Sequence, residues 1–112
     1  MKEFILFFRA DYQEIASVTD EEMQRRNDQW LEWLHVLVAK NALAKGGNHL
    51  DSGGKVMRTN DQITDGPFQE YKEAILGYIL INASSYNQAI ELTKTCPLLT
   101  EKGTSVEIRE IA

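Results

Sequence analysis

Ala74-Ile75-Leu76-Gly77-Tyr78-Ile79-Leu80-Ile81 is too apolar and too branched for a surface loop, and too short for a typical helix. It predicts a central strand, buried by neighbours on both sides. A chain of 112 residues has room for one core only, so residues 1–112 are expected to form a single domain built around that strand. Phe4 to Phe8 is a second continuous run of aromatic and branched residues and predicts another inner strand, the first of the chain.

Between these two runs the period changes. Thr19-Asp20-Glu21-Glu22 has capping-box spacing, with a threonine oxygen placed to accept an N–H three residues on and an acidic first turn that suits the helix dipole. From there to about Leu43 there is no Gly or Pro, and Met23, Trp30, Leu34, Leu37 and Val38 recur at helical spacing, which predicts one long amphipathic helix. Lys45-Gly46-Gly47 is expected to stop it. Asn48 to Asp51 and Lys55 to Thr59 flank Ser52-Gly53-Gly54 and read as a short hairpin, with Asn60-Asp61-Gln62 as a second polar break.

After the central strand, Ser85 and Gln88 again have capping-box spacing, and Ala89, Ile90 and Leu92 supply the apolar side of a second helix that Pro97 ends. Val106, Ile108 and Ile111 lie close to period two and predict a last strand with one wet face. The order strand, helix, hairpin, strand, helix, strand is that of an α+β, ferredoxin-like βαββαβ sheet, antiparallel, with two helices on one face. The other face of so small a sheet needs cover, which predicts a homodimer through the sheet face.

Net charge is −5, and the twelve Lys and Arg residues are dispersed, with only Arg25-Arg26 adjacent. No basic stripe is available to displace counterions from phosphates, so no nucleic-acid partner is expected. The apolar N-terminal run is interrupted by Arg9 and Asp11, too soon for a membrane span or a secretory core, so no membrane partner is expected. Cys96 is the one cysteine, which excludes a disulfide within the chain and points to a reducing, cytoplasmic setting. His35 and His49 are the two histidines, and neither stands in a His-x-x-His or Glu-x-x-His spacing, so no metal site is expected within one chain. No nucleotide motif appears, and no cofactor is expected.

One stretch joins a carboxylate, a backbone joint and an aromatic: Thr64-Asp65-Gly66-Pro67-Phe68, followed by Gln69-Glu70-Tyr71-Lys72-Glu73. Shielded by Phe68 and Tyr71, Asp65 can serve as a general acid or base, since desolvation disfavours the charged carboxylate. The plainer reading makes Asp65 a turn residue, with Gly66 supplying special backbone angles and Pro67 starting a helical turn. His49 is the imidazole beside the hairpin suited to proton transfer, or simply a half-exposed strand residue. Trp30, Trp33 and Tyr86 can line a pocket or serve as core.

Asp65-Gly66-Pro67-Phe68 with Glu70, Lys72 and Glu73, then Gly77-Tyr78, the Ser-initiated helix with its Ala-Ile core, Cys96-Pro97 and Ser105-Val106-Glu107-Ile108-Arg109, resembles the YCII-related, DGPF-domain family. The opening Phe-Ile-Leu-Phe-Phe-Arg strand and Gly46-Gly47 extend that resemblance over essentially the whole chain. The resemblance implies a ferredoxin-like subunit of a dimeric α/β barrel, with a His-Asp pair in a cleft in classical members. Counted back from Gly46-Gly47, the place of that histidine is taken here by Trp30, and His35 lies more than one turn further on. The histidine is therefore not carried over.

The expected function is binding of a small organic ligand in a cleft between the sheet and the long helix. Asp65 and His49 are its candidate catalytic residues, and Phe68, Tyr71, Trp30 and Asp11 its candidate ligand contacts. Cofactor-free acid/base chemistry of a lyase or isomerase suits that set. The alternative is a non-catalytic dimerisation or accessory module in which the Asp65 motif is only a structural corner.

Overall fold

The fold is taken from a computed structural model, which describes residues 1–11, 18–66 and 74–112. Strand β1, Lys2–Ala10, and strand β5, Ala74–Ala83, are the two inner strands. They pair antiparallel, with Phe4 opposite Ile81, Leu6 opposite Ile79 and Phe8 opposite Gly77. Strand β2, Leu43–His49, flanks β5, and strand β6, Thr104–Glu110, flanks β1, giving the order β2-β5-β1-β6. Helix α1, Asp20–Ala39, connects β1 to β2, and helix α2, Tyr86–Thr93, connects β5 to β6. Each βαβ unit is split by an inner strand of the other, which is the ferredoxin-like arrangement.

Alternation along the inner strands decides what is buried. Phe4, Leu6, Phe8, Ile79, Ile81 and Ala83 face the helices and meet Trp33, Leu37, Ala89 and Leu92 there. The opposite face holds Ile5 and Phe7 of β1 beside Leu80 and Tyr78 of β5, all half-buried, with an Arg9–Glu107 ion pair at 2.9 Å on the β6 side. No described element packs over these apolar residues.

The helices start where the capping signals place them. Thr19 Oγ1 accepts the N–H of Glu22 at 3.1 Å, and Ser85 Oγ accepts that of Gln88 at 3.2 Å. The reach-back differs from a complete capping box: Gln88 accepts the N–H of Ser84, and Glu22 turns to Arg25 and Arg26. The buried face of α1 is Trp33 and Leu37 with Trp30 and Leu34 beside them, whereas Met23 and Val38 are 46% and 58% exposed.

Three expectations about the middle of the chain need correction. Helix α1 ends at Ala39, with Asn41 in the left-handed region at φ 56°, so Gly46 and Gly47 do not cap it. Both lie within β2, where the register shifts between Leu43 and Gly46, and Gly46 takes φ 69°. The hairpin is also different: β2 pairs with β5, while strand β3, Gly54–Arg58, pairs with strand β4, Gln62–Gly66. Asn60 and Asp61, at φ 67° and 62°, close that hairpin, using residue types that tolerate the left-handed region. The segment through Asp65 therefore belongs to a two-stranded hairpin separate from the main sheet. Its pair Met57 and Ile63 is largely exposed.

Candidate functional site

The site follows from one row across the sheet. His49 of β2 stands opposite Gly77 of β5, and Gly77 stands opposite Phe8 of β1. All three lie on the helix-bearing face, and the middle residue carries no side chain between the imidazole and the phenyl ring. Glycine is required there, because a Cβ on Gly77 would lie 2.6 Å from the carbonyl oxygen of Asn48. The next pair has an even closer approach: a Cβ on Gly47 would lie 1.8 Å from the carbonyl oxygen of Tyr78. The two glycines let β2 and β5 run close together at this end of the sheet.

Trp30 of α1 stands over this row. Its ring meets Phe8 edge-on at 4.8 Å between centroids and lies 6.2 Å from His49, tilted by 46°. Trp33 holds it in place from behind at 5.2 Å. Trp33 is itself fixed in the core, 4% exposed, with its indole N–H donated to Thr95 Oγ1 at 3.1 Å and shared with the Leu92 carbonyl. The result is a cleft of about 520 Å³, within the size range of small-molecule sites. Met23, Arg26 and Asn27 of α1 continue its wall. Asp51 and Ser52 close one side, and Leu98 and Glu101, on and after the short 3₁₀ turn Pro97–Thr100, close the other.

Arg26 is the permanent cation of this lining among the described residues, and it is already held. Its Nη2 donates to Glu101 Oε2 at 3.0 Å and its Nε to Glu22 Oε1 at 3.4 Å. The Arg25 guanidinium, hydrogen-bonded to Glu22, is the main cause holding that carboxyl below its usual range; burial opposes it, and Arg26 adds a lesser lowering effect. Beneath the 3₁₀ turn, burial pushes the Cys96 thiol up to about 11, although the backbone of Leu98 and Leu99 pulls the other way.

The sequence-derived candidates divide. His49 and Trp30 come together in the cleft. Asp65 stands apart on the β3–β4 hairpin, its side chain 84% exposed and ion-paired with Lys55 across the strands. Asp11 is outside the cleft lining, and its backbone N–H donates to the Gly103 carbonyl at 3.0 Å, tying the end of β1 to the turn before β6. Phe68 and Tyr71, like Pro67, lie outside the described residues. Tyr86 is structural: its ring packs edge-on against Phe4, and its hydroxyl accepts the N–H of Glu110 at 2.9 Å.

Arg26, Asp51, Glu101 and Gly77 were not singled out as site residues from sequence. For Arg26 a signal existed, since Met23, Arg26 and Trp30 recur three and four residues apart and so share one helix face. Gly77 inside an apolar strand is also a mark of close backbone approach. Glu101 carries no local signal, because it reaches Arg26 from 75 residues away in the chain.

Among the described residues, no group of three or more His, Cys, Asp or Glu side chains is gathered as a metal site would need, and no helix is long and apolar enough to cross a membrane. The family model that matches this chain is described as the YCII-related domain, and the match covers residues 4–112. A search of curated proteins gave no match.

Proposed function

The chain belongs to the YCII-related family, and from that premise we propose that it works as a homodimer that binds a small organic ligand in the cleft over the His49–Gly77–Phe8 row. The observation that carries this reading is the cleft itself. His49, Phe8 and Trp30 bring an imidazole and two aromatic rings to the wall of a cleft of about 520 Å³. His49 is the candidate proton-transfer group in that space, and cofactor-free lyase or isomerase chemistry is the reaction class that suits it.

The homodimer is supported by Ile5, Phe7, Tyr78 and Leu80 on the face away from the helices, where no described element covers them. A cytoplasmic setting is supported by the lone thiol of Cys96, buried and without a disulfide partner.

A thermal-shift screen of metabolites tests the ligand reading. A compound at about one hundred times its Kd stabilises the native state by about 2.7 kcal/mol, and the Trp30→Ala variant should lose that response while keeping a cooperative melt. If every stabilising compound acts equally on Trp30→Ala, the ligand does not occupy this cleft.

The second reading, a non-catalytic dimerisation or accessory module, draws on the placement of Asp65. Its exposed ion pair with Lys55 on a separate hairpin favours a structural part for the Asp65-Gly66 motif.

A further inference from the structure

We infer that the cleft selects aromatic ligands that carry no negative charge, neutral or cationic, and disfavours carboxylates and phosphates. The inference rests on the ligand-binding reading above and concerns the charge of the ligand. An anionic ligand needs a cation or a set of directed N–H donors to replace its water. The guanidinium of Arg26 is the permanent cation lining the cleft among the described residues, and Glu101 and Glu22 both accept hydrogen bonds from it. Arg26 and Glu101 are each about three quarters removed from solvent, so their pairing is less screened than a surface bridge. An incoming carboxylate would have to displace Glu101 and leave that carboxylate unpaired beside it.

The surrounding charge acts in the same direction. Asp51 adds another carboxylate to the lining, beside the Glu22 and Glu101 that hold Arg26, and the whole chain carries −5. That field repels anions and attracts cations at low ionic strength. The walls supply what an uncharged or cationic ring system needs. Trp30 and Phe8 present aromatic surface, and a cation over an indole gains further attraction from the ring quadrupole.

Three probes that share one ring system separate charge from shape: quinoline, N-methylquinolinium and quinoline-2-carboxylate. Their affinities are measured by ligand-observed NMR at pH 8 and low salt, on the wild-type protein and on Glu101→Gln. On wild type, quinoline and N-methylquinolinium should bind, and the carboxylate should bind at least tenfold more weakly. In Glu101→Gln one arm of Arg26 is released, so the gap between carboxylate and quinoline should close several-fold. Glu22→Gln releases the other arm and serves as the second variant if Glu101→Gln does not give a native melt.

Tighter binding of quinoline-2-carboxylate than of quinoline to wild type overturns the charge inference and leaves the cleft reading standing. An unchanged preference in a folded variant overturns the part assigned to Arg26. Binding by none of the three overturns this inference, whereas the cleft reading falls only if the metabolite screen finds no compound that depends on Trp30.

Discussion

Gly47→Ala tests the close approach of β2 and β5 that shapes the cleft. The added methyl group would meet the Tyr78 carbonyl oxygen at 1.8 Å, its carbon at 2.6 Å and the Ile79 Cα at 2.7 Å. All three are backbone atoms, so no rotamer change relieves the clash, and β2 must move more than about 1 Å away from β5 before ordinary contact returns. That movement stretches the ladder around the Gly47–Ile79 and Asn48–Tyr78 pairs. Two weakened hydrogen bonds at about 1 kcal/mol each, with overpacking strain of about 1–3 kcal/mol, give a loss of roughly 3–5 kcal/mol. Against a total stability of about 5–15 kcal/mol this is large, and it corresponds to a fall in Tm of roughly 12–20 °C. Two neighbouring glycines calibrate the measurement. Gly46→Ala meets no atom within 4 Å but sits at φ 69°, so it should cost about 1–2 kcal/mol. Gly53→Ala meets nothing within 4 Å and should change stability by less than about 0.5 kcal/mol. Thermal melts followed by circular dichroism read all three. A Gly47→Ala protein that melts within about 3 °C of wild type would refute the β2–β5 register and the geometry of the cleft with it.

Thr19→Ala removes the oxygen that accepts the Glu22 N–H and should lower stability by about 1 kcal/mol in urea melts, with the m-value unchanged. Tyr86→Phe leaves the ring on Phe4 but removes the acceptor for the Glu110 N–H, so a loss of roughly 1 kcal/mol is expected by the same assay. Because the folded state holds the Cys96 thiol protonated up to about 11, stability is flat below the ordinary thiol range and falls as pH rises through it, where only the unfolded chain releases its proton. Urea melts should therefore show about 1 kcal/mol less stability at pH 10 than at pH 8, and Cys96→Ala should lack that part of the decline. If the uncovered sheet face is the dimer contact, Leu80→Lys should give a monomer by light scattering while wild type gives a dimer.

The main sheet was readable because its signals are local. Continuous apolar runs mark β1 and β5, alternation marks β6, and Thr19 and Ser85 mark the helix starts within one residue. The chain between α1 and β5 was not readable in the same way. Gly46-Gly47 has two physical uses, helix stop and close strand approach, and sequence favours the first because glycine is common after helices. Only the pairing of Gly47 with Ile79, more than thirty residues on, selects the second. Ser52-Gly53-Gly54 likewise has the composition of a hairpin turn, but β2 finds a better partner in β5, whose edge would otherwise be left open. Lys55 to Arg58 is then left to pair with the next available segment, Gln62 to Asp65.

That exchange of partners also decides what became of the candidate site. With β3 paired to β4, Asp65 is drawn into the hairpin opposite Lys55, exposed and away from the cleft. His49, at the last position of β2, stays with β5 and is carried to Gly77. The carboxylates that line the cleft are Asp51, two residues after His49, and Glu101, which the 3₁₀ turn after Cys96 delivers to Arg26. The cleft lining includes an imidazole, aromatic rings and carboxylates, but not Asp65. The carboxylates are different ones, and with Glu101 pairing the cation, they bias the cleft against anions instead of helping to hold one.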